Sequence, residues 1–431
     1  MSSKVLDARA RRAGRAPWPV AAVAAAGLMV VLAACTGTRS GPPTPSAKAA
    51  ATSVTSSANP DFIRVVVPPG LVQDGTLDAK TDWVTPFEQQ SGCLVKLTTE
   101  PTDADAYHDV AEGSGRSFYS AVLASPELAG ELIGAKAVAP LDTKHISGYS
   151  RVSPRLASAA PEMSGTTAYG LPYLWDSYVT GYDAGKVKPA PDTWTSLFSP
   201  SSAKAYAGKI TVPQAPVTLA LAALYLKSSQ PALGITDPFE LTSSQLTAAQ
   251  HAVEAVRPDI GTYWHTDSAV IGQLGDGQDV LGAVLTHQIN EMTRAGLPTA
   301  GVPALTQAAG SGTAVAYLDS WLVTSHAPNS SCTYKWLSWM TSDYVQERAS
   351  AFTNAAPVVP AACAGPAAQT CATYHMSSLP SARNIVFEHL PATSCGGSGG
   401  CASYADWQTA WKRVTDAAGV VPLPTVSPSA G

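Results

Sequence analysis

The sequence predicts an α/β protein on a mostly parallel sheet, and three observations carry that prediction. Short β-rich runs alternate with helical stretches at the spacing of strand–helix units. Helix start and stop residues fall between them, such as the Ser and Thr before "QLTAAQHAVEAV" and the glycine that closes "WVTPFEQQSG". Apolar residues make up 45% and charged residues 14% of the chain, a globular balance with ample core.

Read in order, "DFIRVVV" is a first strand, broken at Pro68-Pro69-Gly70. "WVTPFEQQSGC" is the end of a helix with a glycine stop, and "LVKLTTE" the strand after it. "FYSAVLASPELAGELIGAKAVAPLD" reads as strand, short loop, helix, then a turn into another strand. "KITVP" is a strand, "VTLALAALYLKSS" a buried helix, and "LTSSQLTAAQHAVEAVRP" an amphipathic helix with a Ser/Thr start and a Pro stop. "GQDVLGAVLT" and "TAVAYLDSWLVTS" are strands, and "CTYKWLSWMTSDYVQERASAF" is one helix. No internal repeat is visible.

In such sheets ligands sit beyond the carboxyl ends of the strands, on loops that lead into helices. That makes "ASPEL" a candidate, with Ser125 and Glu127 at a helix start. The simpler uses of these two residues are an N-cap and a partner of the helix dipole. "TAYGLPYLWDSYVTGYD" (167–183) is rich in aromatics, which serve either a core or a surface that grips a ligand.

The first 35 residues are read as an export signal. A basic start (Lys4, Arg9, Arg11, Arg12, Arg15) precedes the apolar run "VAAVAAAGLMVVLAA", which is shorter than the roughly 20 residues a membrane span needs. The end of the run, Leu32-Ala33-Ala34-Cys35, resembles a bacterial lipobox, which implies cleavage before Cys35 and lipidation of its thiol. Residues 36–60 lack large apolar side chains and read as a flexible tether. The last stretch, 417–431, reads as a disordered tail.

A net charge of −5, with no basic run after the signal, argues against nucleic acid as a partner. Six cysteines besides Cys35 read as disulfides in an exported chain. Short loops favour Cys363–Cys371 and Cys395–Cys401, which leaves Cys93–Cys332. No CxxC and no His pair at ligand spacing suggests a metal, and "GDGQD" (275–279) lacks the later Glu of a calcium loop. No cofactor is expected. The motifs HExxH, GxxxxGKS/T and a strand–helix GxGxxG are absent from the sequence, so the protein reads as a binder and not as an enzyme. His108, His145, His265, His287 and His375 have no carboxylate or nucleophile at a recognisable spacing.

Six stretches, taken in this order, resemble the spermidine/putrescine-binding family of extracellular solute-binding lipoproteins, in its actinobacterial branch. They are "YGLPYLWDSYVTGYDAGKV", "DTWTSLFSP…AGKITV", "LYLKSSQPALGITDPFEL", "AVAYLDSWLV", "CTYKWLSWM" and "CASYADWQTAWKRV". The resemblance implies a two-lobed, type II periplasmic-binding fold with two interlobe crossings. Lobe 1 is then 61–170 plus 319–356 and lobe 2 is 171–318 plus 357–416. It also implies a monomer that is lipid-anchored on the outer face of the cell membrane, where it passes a polyamine or other small organic cation to a permease and its ATPase.

On this resemblance "YGLPYLWDS" and "AYLDSW" are the two crossings. Tyr173 and Trp175 become cation-binding ring faces, and Tyr317 and Asp319 match the family's aromatic–acid pair. Ser125 keeps a family position, while Glu127 stands where the family has an aromatic. The family's acidic pair after "KITV" falls on Gln214 and Val217, and a family tryptophan falls on Leu285. Asp176 and Asp267 are the carboxylates expected to compensate. The competing expectations are a neutral or acidic solute on the same fold, as receptor or sensor, and a cell-surface hydrolase.

Overall fold

The structure, a computed structural model, describes residues 61–159, 163–304, 313–327, 330–379, 384–392, 395, 400–421 and 423. The expected signal, Cys35 and the tether lie outside the described residues, as does most of the expected tail.

The main sheet is built from β1 (Asp61–Val67), β2 (Cys93–Thr99), β3 (Ala121–Ala124), β4 (Gly170–Asp183), β5 (Ile210–Pro213), β6 (Ile260–Trp264), β7 (Leu281–Leu285) and β8 (Ala314–Val323). Its order is β2-β1-β3-β8-β4-β7-β5-β6. The outer strands pair in parallel, β1 with β2 and β3 at one end and β5 with β6 and β7 at the other. In the middle, β4 and β8 run antiparallel to each other and to their neighbours, so the chain passes twice from one half to the other. A short strand, β9 (Ile385–Phe387), lies parallel to β8.

Two hydrophobic cores flank this middle. The first collects β1 and β3 side chains with Phe87 of α1 (Val84–Ser91), Trp336 of α8 (Ser330–Met340) and Val345 of α9 (Asp343–Thr353). The second is centred on α4 (Val217–Ser229), whose apolar residues are buried on nearly every side. Against it pack α5 (Ser243–Val256) and α10 (Tyr404–Ala418). A helix that is apolar all round has to be enclosed, and the neighbours of α4 enclose it. The result is a two-lobed α/β fold with two strand crossings.

Several helix ends follow from their capping residues. Gly92 ends α1 in the left-handed conformation at φ 72°, with its N–H on the Glu88 carbonyl. Thr242 and Gln245 form a reciprocal capping box at the start of α5. The region 332–352, expected as one helix, is two: the first ends at Met340, and Ser342 caps the second by accepting from Val345 N–H. The strand expected after "ELIGAKA" is reduced to a single bridge, Val138 to Thr324. The expected tail begins inside α10, which runs to Ala418 and is closed by Gly419 at φ 69°.

Leu171, Tyr173, Leu174 and Trp175 belong to the first core and Tyr178 to the second, so β4 passes from one core to the other between 175 and 178. Val358, Tyr374, Met376, Ile385 and Phe387, all in the stretch expected in lobe 2, pack in the first core. All three expected disulfides form. Cys93–Cys332 joins residues 239 apart in sequence, the start of β2 and α8. Both cysteines lie in the first core, so the bond staples one lobe and does not cross the hinge.

Candidate functional site

The two crossings run side by side, with Tyr317 opposite Asp176, Leu318 opposite Trp175 and Asp319 opposite Leu174. Residues opposite each other in an antiparallel pair share a face, and successive residues alternate between faces. Asp176, Tyr178, Tyr317 and Asp319 therefore share one face, and Trp175 and Leu318 the other. A register shift follows Asp319, where Pro172, which has no N–H to give, lies opposite Ser320.

Tyr173 and Trp175 do not join the acids. The Tyr173 hydroxyl donates to the Leu71 carbonyl at 3.0 Å, and its ring meets Trp321 edge-on. The Trp175 indole N–H donates to the Met376 sulfur at 3.1 Å, and its ring packs against Tyr374 and Phe387. Both are core residues, which corrects the expectation that they are ligand-facing rings.

Asp176 is buried and saturated. Its Oδ1 accepts from the backbone N–H groups of Ser177 (2.6 Å) and Thr286 (3.0 Å), and its Oδ2 from His287 N–H (3.2 Å). His287 Nδ1 lies 2.6 Å from the same Oδ2, and His287 Nε2 lies 3.0 Å from Asp267 Oδ1. His287 is the second residue of α7 (Thr286–Arg294), and Asp267 the first of α6 (Asp267–Gly275). Burial works against a charge on His287, but hydrogen bonds to the two carboxylates outweigh it and lift its pKa to about 10. Asp267, whose side chain is more than half exposed, is held below the usual carboxylate range by His287 and Gln288, which outweigh its partial desolvation. This is a resident ion triad, so Asp176 and Asp267 are spent on a side chain of the protein itself. His287 has two carboxylate partners, which overturns its reading as a lone histidine. His145 and His108 also face acids, Asp142 at 2.9 Å and Glu112 at 3.6 Å.

A second set of acids forms no ion pair among the described residues. Asp103 opens α2 (Asp103–Tyr107) and accepts from Ser125 Oγ at 2.5 Å. Ser125 also caps α3 (Pro126–Gly134) by accepting from Leu128 N–H at 3.1 Å. Burial raises the pKa of Asp103, partly offset by Ser125. Asp319 is 8% exposed, and burial followed by repulsion from Asp103 pushes it up to about 8, against attraction to His287 and a hydrogen bond from Tyr317. Glu127 is pushed up to about 7 by burial and then by Asp103, against a hydrogen bond from Tyr404. Glu388, just past β9, is raised by burial and by Glu127, against a hydrogen bond from Tyr178. Its backbone N–H donates to the Ala316 carbonyl at 2.8 Å, which fixes it beside the second crossing. Among the described residues no lysine or arginine forms an ion pair with any of these four acids.

Of the expected site residues, the fold brings together Ser125, Glu127, Tyr317 and Asp319. It diverts Asp176 and Asp267 to His287, and sends Tyr173 and Trp175 to the core. Sequence reasoning missed Asp103, Glu388, Tyr178 and Tyr404. The one sequence signal for Glu388 is an acid that ends the β-branched, aromatic run "IVF". Gln214, at a family acidic position, donates to the Val421 carbonyl at 2.6 Å, and Val217 is a buried residue of α4.

Among the described residues no helix is long and apolar enough to cross a membrane. A family model described as bacterial extracellular solute-binding protein matches residues 82–374. The fold is similar to the spermidine/putrescine transporter substrate-binding protein PotD of Streptococcus pneumoniae, at 13% identity and TM-score 0.63, covering 83% of this chain and 98% of that one. It is also similar to the Atu4243 GABA receptor, at 17% identity and TM-score 0.59, covering 83% and 97%. A third similar structure is the binding protein MotA of A. tumefaciens B6 in complex with glucopine, at 15% identity and TM-score 0.60, covering 83% and 98%.

Proposed function

The chain belongs to the bacterial extracellular solute-binding proteins, and we propose that it is the capture component of an ATP-binding-cassette importer for a small organic cation. Within that family we place it with the spermidine/putrescine type. The observation that carries the reading is the proximity of half-buried Asp103 to buried Asp319, hydrogen-bonded by Ser125 and Tyr317 respectively and with no ion-pair partner among the described residues. A buried carboxylate must either bind a proton or meet a counter-charge. In the ligand-free protein protons serve, which is why these acids titrate high. An alkylammonium that enters between the crossings replaces the protons and favours the closed arrangement of the lobes, because only there do both crossings touch it. That is binding without bond-making.

A GABA receptor and a glucopine-bound protein on the same fold make a ligand with a carboxylate the natural competitor. The acid cluster, with no arginine or lysine ion-paired to it among the described residues, favours a ligand that is cationic only. Isothermal titration of the full chain with aliphatic amines, GABA and neutral sugars tests this. Amines should bind, and Asp319→Asn should weaken them by at least thirtyfold. Binding of GABA or a sugar with no response to amines would refute the cation reading.

We also infer that residues 1–34 are removed, that Cys35 is then the lipidated first residue and that 36–60 tether the protein to the outer face of the membrane. Cys35→Ser should move the protein from the membrane fraction into the medium or the uncleaved precursor, readable by fractionation and mass spectrometry. Retention of the mature mass in the membrane would end that inference.

A further inference from the structure

Resting on the inferred tether only for nearness to the membrane, we propose that the rim formed by the amino ends of β1, β2 and β3 is a docking face. Its partner is a bilayer surface that carries anionic headgroups.

Three neighbouring parallel strands build the face. Phe62 and Leu94 are the second residues of β1 and β2, lie opposite each other in the register, and are 41% and 40% exposed. Phe118 stands just before β3, on the other side of β1, and is 58% exposed. Exposed apolar side chains scattered singly are ordinary, but a gathered set marks a contact surface. Arg64 shows that the rings are gathered: its guanidinium carbon lies 5.5 Å from the Phe62 ring centre and 5.7 Å from that of Phe118. Lys96 is opposite Arg64, so both cations share the strand face of Phe62 and Leu94. Arg116, exposed in the turn before Phe118, adds a third. Among the described side chains none of the three forms an ion pair.

Composition selects the partner. Apolar area gains by leaving water, while the three charges gain only from anions that stay hydrated. The boundary between headgroups and acyl chains offers both: rings enter it, and long basic side chains reach the phosphate oxygens. A second copy of the chain fits poorly. A two-fold contact is self-complementary, so covering the rings that way would set Arg64 and Lys96 against their own kind. Position agrees with the bilayer. β1 opens at Asp61, directly after the inferred tether. Asp103 and Ser125 follow the carboxyl ends of β2 and β3, so the face and the candidate site lie at opposite ends of these strands. A docked lobe therefore holds the site away from the bilayer.

Photolabelling tests the face. The full chain is reconstituted with vesicles of phosphatidylcholine, alone or with about one-third phosphatidylglycerol, doped with a phospholipid whose headgroup is photoactivatable. With phosphatidylglycerol present, peptides carrying Phe62, Leu94 and Phe118 should take up about tenfold more label than the peptide of Phe352, an exposed ring on α9. Phosphatidylcholine alone should abolish that excess, as should salt at about 0.5 M. Arg64→Gln combined with Lys96→Gln removes two charges, each worth about fivefold at such a surface, and should bring the label to the Phe352 level. Phe118→Ser should lower it by about threefold. All three positions are at least partly exposed, and an unchanged melting temperature checks that the variants fold. Labelling that ignores phosphatidylglycerol, or that survives the double substitution, would overturn the proposal. So would a dimer in sedimentation that Phe118→Ser dissolves, with no label on these peptides. Mass spectrometry that finds no acyl group on Cys35 would refute the tether alone, because vesicles added to the untethered chain put the same question to the face.

Discussion

Two groups of acids lie on or beside the same pair of strands, yet the protein treats them in opposite ways. Asp176 and Asp267 hold the His287 imidazolium between them, at 2.6 and 3.0 Å. Asp103, Glu127, Asp319 and Glu388 have hydroxyl hydrogen-bond partners and repel one another, and among them only Asp319 feels His287, through space and not as an ion pair. A carboxylate on a crossing strand is therefore not a ligand group merely because of its place. What decides is whether the protein supplies the counter-charge itself, and two residues of sequence separate Asp176 from Tyr178 on the other side of that line.

The largest effect expected from breaking the contrast is on stability. His287→Leu strips the cation from a buried Asp176, and removing one partner of a buried ion pair costs about 3–5 kcal/mol. Urea unfolding of the ligand-free variant should show a loss of that order. A variant as stable as the wild type would mean that the triad is not a structural pair. Asp319→Asn should act in reverse. It should leave ligand-free stability unchanged or improved, because the ionised form is already disfavoured there, and weaken amine binding by about 2–5 kcal/mol. Parallel losses of stability in the two variants would erase the distinction between the groups.

The pH dependence sharpens the same contrast at smaller magnitude. Asp319 and Glu127 titrate near 8 and 7 in the fold, against about 4 for exposed carboxylates. Between those limits the native state binds more protons than the unfolded chain, so stability falls as pH rises, by up to about 1.4 kcal/mol per pH unit for each such proton. The contribution is complete below pH ~4 and lost as pH passes through the folded values. The His287 contribution is present below about 6.5 and lost as pH rises through about 10. Ligand-free melting temperature should thus decline from pH 5 to 8.5, less steeply in Asp319→Asn, while amine affinity climbs over the same range as protons leave the acids. Amine binding that is flat with pH would contradict proton replacement.

Much of the fold was legible because its signals are local. Strand–helix alternation, the Gly92 stop and the Thr242 cap each lie within a few residues of the element they define. The break at Ser342 was not legible, since the apolar pattern of "WLSWMTSDYV" continues through it and only the cap marks the new start. The site was legible where one strand carries two of its groups, as Tyr317 and Asp319 do. It was not where Asp103 and Glu388 arrive from segments more than 280 residues apart, because periodicity describes one element at a time. The aromatics of β4 misled for a physical reason. Nearly every residue of that strand is buried, so the two-residue alternation that tells a core face from a ligand face has no polar contrast to reveal it.

The smallest expected effect on binding follows from that last point. Trp175→Phe removes the indole N–H that reaches Met376 and reduces packing against Tyr374 and Phe387. As a core substitution it should lower stability by about 1–3 kcal/mol. Because the pleat turns Trp175 away from the face that carries Asp319, amine affinity should stay within about threefold of wild type once the folded fraction is accounted for. A cation–π partner would behave otherwise, since an indole over a desolvated ammonium is worth about 2 kcal/mol, a loss of roughly thirtyfold if the face vanished. Titration of Trp175→Phe and Trp175→Leu with the best amine separates the two cases: a graded loss from wild type through Phe to Leu, at unchanged stability, would return the indole to the cleft and blur the line between core and site on which the comparison of the two acid groups rests.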